Sequence, residues 1–385
     1  MAVTEAAVLR NVLVARPDAV RLERRNFVLC HRGAPGDVYT MDLPGHAVLP
    51  GLVNAHDHLH LNSIPALRTQ QTFPNSYAWA SQFESHFAHA EVSSALAVPS
   101  EVRHWHGGLK NALCGTTTVM HHDPAQSLYE HAQFPVQVVQ PYGWAHSLHW
   151  RYGPQVVHSF RRTPPDIAWF VHLAEGTDAV AAAELQQLQA LDCLRPNTVL
   201  IHGVAMNDRD IQSVIASGAA LVWCPSSNLT LLGRTVTPQR LRALFAVGRL
   251  TLGTDSRLSG ARDLLAELRV AAMYSDFSAR ELLQLVTVHA RRLLRTAPAR
   301  DDIIIFRSRS ADPFRDALQL ARHELRAVVR NGAPLIADPD FKDWFVKRSI
   351  AYTAVSLDGR PKLCASSLLS SHGARAATLE PGLTP

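Results

Sequence analysis

Short apolar runs alternate with longer stretches of helical periodicity from about residue 50 to residue 290. In one repeat, the β-rich run at 198–202 is followed by Asn207, a typical helix N-cap, and then by apolar residues at helical spacing. In the next repeat, the run at 220–224 precedes Thr237, which together with the proline after it marks another helix start. Repeated strand and helix units of this kind predict an α/β fold built on a parallel sheet.

The two ends of the chain have a different pattern. Residues 7–49 alternate short apolar runs with Gly, Pro, Asp and Asn, which is typical of strands joined by turns. Later in the chain, Ile303–Phe306 has the composition of a buried strand, and the Asn331–Gly332 pair predicts a β-hairpin. We expect these later strands to join the N-terminal ones in one small domain.

The chain length supports this division. A length of 385 residues fits one large barrel of ~250 residues with a smaller appendage. We therefore predict a (β/α)8 barrel of the TIM type and a small discontinuous β-sandwich domain from both chain ends. Ser, Ala, Gly and Pro are frequent near the carboxyl end, so we expect the last segment to be partly loose. The predicted boundaries are 1–48 for the N-terminal part of the small domain, 49–295 for the barrel, 296–345 for the C-terminal part of the small domain and 346–385 for a C-terminal extension.

Composition narrows the classes of function. Hydrophobic residues make up 47% of the chain and charged residues 18%, as in globular proteins and unlike disordered ones. The formal net charge is +5, but Lys and Arg are dispersed and no nucleic-acid-binding module is apparent, so we predict a small-molecule substrate and no nucleic-acid partner. No apolar run reaches the ~18 residues of a membrane span, so we predict no membrane partner. The five scattered cysteines form no CxxC pair, which favours a cytoplasmic location; a homodimer is left open.

Two histidines at a spacing of two end an apolar run. His56 and His58 follow the run that begins at Leu49. Alternate residues of a strand point to the same face, so both imidazoles can face one metal ion. Taken alone, the pair would be about equally well explained by two histidines in ordinary hydrogen bonds.

Three further apolar runs end in polar groups of the same kind. His172 ends one of them and is followed by Glu175, His202 ends the next, and Asp255 ends the last. From His56 to His172 is 116 residues, or four strand–helix repeats. The next interval, to His202, is 30 residues or one repeat, and the last, to Asp255, is 53 residues or two repeats. This register assigns the groups to strands 1, 5, 6 and 8 of one barrel, whose carboxyl ends meet at a common mouth.

Residues of these types can bind a divalent metal ion. Three neutral imidazoles and one carboxylate suit one Zn²⁺ ion, and such nitrogen and oxygen ligands also tolerate Fe²⁺. A water molecule bound to the ion would have its pKa lowered to about 7, which supplies hydroxide at neutral pH. The sequence therefore predicts one divalent metal ion, Zn²⁺ in preference to Fe²⁺.

Several segments of the chain resemble one enzyme superfamily. The segments PGLVNAHDH, FVHLAEG, LIHG, VWCPSSN and LGTDS are similar to motifs of the amidohydrolase superfamily, specifically its branch of cytosine deaminases, guanine deaminases and chlorohydrolases. Cys114–Val119 resembles strand 2 of that branch, so the resemblance extends from about residue 45 to residue 295.

The resemblance implies a role for each matching residue. Glu175 would shuttle protons to the ring nitrogen and the leaving group, and His202 would polarise the substrate or orient the hydroxide. Asp255 would accept the proton of the attacking water while it binds the metal. The metal ligands implied by the resemblance are His56, His58, His172 and Asp255.

A lysine on strand 4 distinguishes the binuclear members of this superfamily from the mononuclear ones. Binuclear members bridge two metals with a carboxylated lysine on strand 4, and no lysine occurs between Lys110 and Lys342. A mononuclear site is therefore favoured. Strand 4 itself is hard to locate between Pro141 and Asp166, and Ala299–Asp302 departs from the run that usually precedes the next strand in the family.

Four residues are candidates for substrate contact: Arg68, Trp144, His146 and Asn228. Arg68, after strand 1, would meet a carboxylate or phosphate if it is not simply solvated. Trp144 and His146 combine an aromatic ring with a hydrogen-bonding group for a flat heterocycle, although aromatic residues here pack between loop and barrel about twice as often. Asn228 matches the motif at strand 7 and is expected on the pocket floor.

The leading hypothesis is hydrolytic deamination of an amino-substituted nitrogen heterocycle, with release of ammonia. Hydrolysis of a cyclic amide or amidine, or of a C–Cl bond, by the same residues remains an alternative, because loops choose the substrate. An alternative of another class is a catalytically silent metal-binding scaffold. The presence of both Glu175 and His202 beside the ligands argues against it.

Overall fold

The computed structural model of the chain describes residues 3–32, 37–66, 71–87, 89–149, 153–297 and 299–384. None of the helices within these ranges is long and apolar enough to cross a membrane. The strands are β1 (Val3–Val14), β2 (Glu23–Arg32), β3 (Tyr39–Asp42), β4 (His46–Pro50), β5 (Leu52–Asp57), β6 (Thr116–His121), β7 (Gln137–Val138), β8 (Gly143–Ala145), β9 (Trp169–Leu173), β10 (Thr198–His202), β11 (Ala220–Trp223), β12 (Leu250–Leu252), β13 (Ile303–Arg307), β14 (Leu325–Arg330), β15 (Ala333–Ala337), β16 (Tyr352–Leu357), β17 (Arg360–Ala365) and β18 (Leu383–Thr384).

Helices follow most strands of the central part of the chain. The α-helices are α1 (Ser76–His86), α2 (Ala90–Leu96), α3 (Ser100–Leu113), α4 (Gly153–Arg162), α5 (Ala179–Ala190), α6 (Asp208–Ser217), α7 (Pro225–Leu232), α8 (Pro238–Ala246), α9 (Leu264–Met273), α10 (Ala279–Gln284), α11 (Ala290–Leu293), α12 (Pro313–Gln319), α13 (Lys342–Lys347), α14 (Ser366–Leu369) and α15 (His372–Thr378).

The eight strands β5 to β12 form two parallel sheets, and within each sheet the strands pair in chain order. The strands β5, β6 and β7 form one parallel sheet, and β8 to β12 form another. The last strand returns to the first, because the backbone N–H groups of Thr254 and Asp255 donate to the carbonyl oxygen of His56 at 3.0 and 3.1 Å. This order, with helices after the strands, fits the (β/α)8 barrel predicted from the sequence.

Buried side chains on both faces explain why these strands show no alternation of apolar and polar residues. Parallel strands packed beneath helices are covered on both sides and therefore form continuous apolar runs. One set of their side chains forms a separate buried cluster: Val53, Ala55, Met120, Val139, Phe170, Val199, Ile201, Val222 and Cys224.

The two sequence repeats are confirmed, with one addition. Helix α6 begins after Asn207, whose side chain forms a capping box with Asp210, and ends at Gly218 with a φ of 74°. Helix α8 begins after Thr237 with a proline at its first position. Helix α7 was not predicted, because Pro225, which starts it, was interpreted only as part of a loop motif. Strand 4 is β8, whose three residues are too few for a periodic signal.

Strands from both chain ends form one ten-stranded sheet, as expected. Strand β13 pairs with β4 on one side and with β14 on the other. The hairpin between β14 and β15 turns at Asn331 and Gly332, whose φ values of 51° and 72° are those of the left-handed region. The arrangement of this sheet as a sandwich remains a prediction.

The prediction of a partly loose extension at 346–385 is wrong for the described residues up to 384. They form β16, β17, α14, α15 and β18, and Leu363, Leu368 and Leu383 are buried. The indole N–H of Trp105 on α3 donates to the carbonyl oxygen of Leu368 at 2.9 Å. The composition was misleading because a few widely spaced apolar residues are enough to dock such a segment on an existing surface.

Gly253, at the end of β12, allows this strand to approach β5. A Cβ atom at this position would lie 2.6 Å from Cβ of His56 and 2.7 Å from its backbone nitrogen. We expect Gly253→Ala to lower the free energy of unfolding by about 1–3 kcal/mol, because the two strands must separate. Thermal unfolding measures the change. Gly153→Ala is the control, since among the described residues its Cβ would meet only the carbonyl oxygen of Leu148, at 3.7 Å. Equal melting temperatures for the two variants would contradict the prediction.

Candidate metal centre

Four donor groups from three strand ends converge at the mouth of the barrel. The Nε2 atom of His172 lies 3.4 Å from Nε2 of His56 and 3.4 Å from Nε2 of His58. The Oδ1 atom of Asp255 lies 3.7 Å from Nε2 of His56 and 3.6 Å from Nε2 of His58. These four distances are close to the ~3.3 Å that separates two ligands held tetrahedrally at ~2.0–2.1 Å from one Zn²⁺.

Two of the histidine rings are oriented by acceptors behind them. The Nδ1 atom of His58 lies 2.7 Å from Oδ2 of Asp123, and Nδ1 of His172 lies 2.8 Å from the carbonyl oxygen of His146. Both acceptors require the proton on Nδ1. In the neutral ring this leaves the Nε2 lone pair directed at the metal position. Asp123 was not predicted from the sequence. It follows strand 2 by two residues, and a carboxylate in that place indicates a group at the mouth of the barrel, because the ends of the strands meet there.

His58 makes the binding of metal dependent on pH. Burial lowers the pKa of His58, but the charges of Asp123 and Asp255 together raise it to about 9. In the metal-free protein this ring carries at neutral pH an Nε2 proton that a metal must displace. We therefore expect Zn²⁺ affinity to rise about tenfold per pH unit and to level off above pH 9.

Competition with a chelator between pH 6 and pH 10, corrected for the titration of the chelator, measures this dependence. Asp123→Asn removes the charge that holds the proton, so its slope between pH 7 and pH 9 should be smaller. A wild-type affinity that does not change over that interval would refute the interpretation.

Asp255 is held as a charged carboxylate. Its Oδ2 atom accepts hydrogen bonds from the hydroxyls of Ser227 at 2.7 Å and Ser259 at 3.1 Å. Its Oδ1 atom accepts the backbone N–H of Ser256 at 2.7 Å and faces the histidines. Burial raises the pKa of Asp255, but the hydrogen bond of His56 and the charge of His58 outweigh this effect and keep the pKa well below its usual value.

Glu175 and His202 face each other beside these donors. The Oε1 atom of Glu175 lies 3.5 Å from Nε2 of His202. The Nδ1 atom of His202 lies 2.8 Å from the amide oxygen of Asn228, so Nδ1 carries the proton and Nε2 is free to accept one. Burial raises the pKa of Glu175, which favours the protonated form of the carboxyl group.

A cavity of about 250 Å³ opens above the donor groups. This volume lies near the lower end of the ~300–1,000 Å³ of small-molecule sites, so a compact substrate fits best. Helix α1 forms one wall, and the loop after β8 forms another. The polar and aromatic residues that line the cavity include His60, Ser76, Tyr77, Trp79, Asp123, His146, Ser147, His149, Glu175 and His202.

The four predicted substrate contacts have different positions. His146 lines the cavity. Trp144 and Asn228 are absent from the described residues that line it: Trp144 packs against the apolar cluster of the barrel strands, and Asn228 lies behind His202. Arg68 lies outside the described residues.

A second group of histidines lies beside the cavity, formed by His60, His104 and His121. The backbone N–H of Leu59 donates to Nδ1 of His121 at 3.2 Å. A neutral His121 therefore carries its proton on Nε2, where a metal would need a lone pair. The Nδ1 atom of His104 lies 2.7 Å from the hydroxyl of Tyr129. This group is therefore unsuited to a second metal as it stands.

Comparison with curated sequences gives relatives of one kind. No protein-family model matches the chain. The 5-methylthioadenosine/S-adenosylhomocysteine deaminase of Pyrococcus furiosus is 22% identical over 316 residues, which is 68% of this chain and 73% of that protein. The enzyme of the same name from Haloquadratum walsbyi is 25% identical over 284 residues, 63% of each chain. The one from Archaeoglobus fulgidus is 31% identical, but over only 29% of this chain and 28% of its own length.

Comparison with solved structures identifies the same fold. A zinc-bound adenosine deaminase from Xanthomonas campestris has a TM-score of 0.66 and 17% identity, and covers 89% of this chain and 97% of its own. The atrazine chlorohydrolase TrzN from Arthrobacter aurescens, complexed with zinc, has a TM-score of 0.62 and 17% identity, and covers 86% and 95% of the two chains. The curated relatives thus agree with the resemblance of the sequence to deaminases, and the solved structures show the same fold.

Proposed function

We propose that this chain, a relative of the deaminases and chlorohydrolases of the amidohydrolase superfamily, is a metal-dependent hydrolase that deaminates an amino-substituted nitrogen heterocycle and releases ammonia. One observation carries the proposal: the donor atoms of His172 and Asp255 each lie 3.4–3.7 Å from those of His56 and His58, at a cavity that Glu175 also lines. A metal-ligand set and a protonatable carboxyl group thus face the same small volume.

We infer that one ion binds here. Strand β8, where a bridging lysine would stand, consists of Gly143, Trp144 and Ala145. The nitrogen and oxygen donors suit Zn²⁺ and also Fe²⁺, and the zinc in two related structures favours Zn²⁺. When bound, such an ion lowers the pKa of a water molecule to about 7, which makes hydroxide available at neutral pH.

The protein groups would then manage protons and orientation. We assign Asp255 the proton of the attacking water, because its Oδ1 atom faces the donor set while Ser227 and Ser259 hold Oδ2. Glu175 would deliver its proton to the ring nitrogen where negative charge develops, take up the proton of the hydroxyl group added to the ring carbon, and pass that proton to the amino group, which departs as ammonia. His202, kept in one tautomer by Asn228, would hold the carboxyl group of Glu175 in place.

A screen for released ammonia, combined with metal analysis of the purified protein, tests the proposal. The relatives are named as deaminases of 5-methylthioadenosine and S-adenosylhomocysteine, so adenine nucleosides should be tested first, followed by purines, pyrimidines, triazines and pterins. Metal content near one ion per chain with ammonia from at least one substrate is the expected result.

Two other outcomes would replace the proposal. Chloride release from a chlorotriazine, or opening of a cyclic amide, without ammonia from any amino-substituted substrate would indicate the alternative hydrolase reactions. Bound metal with no turnover in any assay would indicate a silent metal-binding scaffold. A cytoplasmic location, a homodimer and the absence of nucleic-acid binding remain predictions.

A further inference from the structure

Glu380, close to the carboxyl end, is a buried carboxylate enclosed by cationic side chains. Its Oε1 atom accepts hydrogen bonds from Arg257 Nη2 at 2.8 Å and from Arg322. Its Oε2 atom accepts from Arg257 Nη1 at 2.7 Å and lies 2.9 Å from Nε2 of His106. Burial raises the pKa of Glu380, but His106 and the two arginines outweigh burial and keep the carboxylate charged.

Arg257 connects this carboxylate to the metal centre. Arg257 follows Asp255 by two residues, and its backbone N–H donates to the side-chain oxygen of Asn62 at 3.1 Å. The side-chain amide of Asn62 donates in turn to Oδ1 of Asp57 at 2.8 Å. Asp57 lies between His56 and His58, so the connection reaches the strand end that bears two of the four donor groups.

Lys110 closes the same network from helix α3. Its ammonium group is fully buried and donates to Asn62 Oδ1 at 2.9 Å and to Asp57 Oδ2 at 3.0 Å. Helix α3 also carries His106 one turn earlier, and Gly107 beside it lies so close to Leu59 that a Cβ atom there would be 2.3 Å from the Leu59 carbonyl oxygen. One helix face therefore contacts both the carboxylate of Glu380 and the segment that follows the His56–His58 pair.

We propose that Glu380 is a positioning residue for the metal centre, and that the segment after β17 acts as a clamp on Arg257. The bidentate contact fixes the loop after Asp255, and Asn62 and Asp57 transmit that position to the loop after β5. The four donor groups are thereby held at ligand spacing before a metal arrives. Removing such an outer contact typically costs about 10–100-fold in metal affinity. The inference rests on the proposed function only in taking these four groups as the metal ligands.

A contribution to stability alone does not explain why this buried ion pair is present. Buried ion pairs add little stability compared with apolar packing of the same volume, because the charges must be desolvated. Their advantage is geometric, since a bidentate arginine and carboxylate pair has one preferred orientation. That property is the one required to hold two loops in register.

Zn²⁺ affinity of the full-length chain, measured by chelator competition without substrate, tests the proposal. We expect Glu380→Gln to bind Zn²⁺ about 10–100-fold more weakly than wild type. Asp358→Asn is the matched control: it also changes a carboxylate to an amide, and Asp358 shares Arg322 with Glu380 but has no described contact with the side chain of Arg257. This control should stay within about threefold of wild type.

Thermal unfolding of the metal-free proteins separates positioning from general stability. Equal losses of affinity in Glu380→Gln and Asp358→Asn, in proportion to their losses of stability, would overturn the proposal. If Glu380→Gln does not fold, Arg257→Lys keeps the positive charge and loses the bidentate contact, and wild-type affinity in this variant would also overturn it. With saturating Zn²⁺ the kcat of either variant should return toward the wild-type value.

The same experiment distinguishes the two proposals. A wild-type chain that binds Zn²⁺ but deaminates nothing would contradict the proposed function and leave the clamp intact. A wild-type chain that binds no Zn²⁺ would overturn the metal centre and the clamp together.

Discussion

Removal of the metal is expected to lower turnover by more than about 10³-fold, because unassisted water has a pKa of about 15.7 and supplies almost no hydroxide at neutral pH. None of the protein groups at the site replaces this contribution. His56, His58 and His172 are placed as ligands, and Glu175 is placed to transfer protons. Dialysis against a strong chelator, followed by metal analysis and an ammonia assay, measures the effect.

Restoring Zn²⁺ should return the activity, because the fold does not depend on the ion. The barrel strands are held together by buried apolar residues such as Val53, Phe170 and Ile201. Circular dichroism of the chelated protein should therefore match that of the untreated protein. Full activity in a sample that contains less than about a tenth of an ion per chain would refute a metal-dependent reaction.

Glu175→Gln is expected to lower kcat by about 10²–10⁴-fold and to leave the metal content unchanged. The amide has nearly the same shape but holds no transferable proton. Glu175 lies outside the four-donor set, and its Oε1 atom faces Nε2 of His202 at 3.5 Å. Steady-state kinetics and metal analysis of the same preparation measure both quantities.

Glu184→Gln is the matched control for this variant. Glu184 is also a buried carboxylate, and burial raises its pKa to about 7. It accepts the backbone N–H of Ala174 at 2.5 Å and the hydroxyl of Tyr77, and it is absent from the described residues that line the cavity. In glutamine the amide oxygen can keep the bond to Ala174 and the amide N–H can donate to the Tyr77 hydroxyl, so turnover should stay within about tenfold of wild type. Similar losses in both variants would mean that Glu175 acts through structure and not through proton transfer.

The sequence was most informative for the ends of the barrel strands, which a local pattern of apolar residues predicts. The run that ends at His56 and the run that ends at His172 could be recognised as strand ends, because burial on both faces makes each strand a continuous apolar segment. Equal spacing between runs then predicted their places in the barrel, and the structure has them in β5, β9, β10 and just after β12.

Local patterns were least informative for short and packed segments. Strand β8 has only three residues, so Trp144 was interpreted as part of a loop and as a substrate contact. The extension after residue 345 was expected to be partly loose, because its composition does not reveal that Leu368 finds a partner in Trp105 on α3. In both cases the missing information was a neighbour that lies far away in the chain.

The sequence by itself determined which residues stand at the carboxyl ends of the barrel strands, and therefore the donor set and Glu175. Only the tertiary structure decided what orients them. Asp123 reaches His58 across 65 residues, Asn228 reaches His202 across 26, and Glu380 reaches Arg257 across 123. The physical reason is that strand ends follow from local apolar periodicity, whereas each orienting contact depends on one distance and one angle between separate segments.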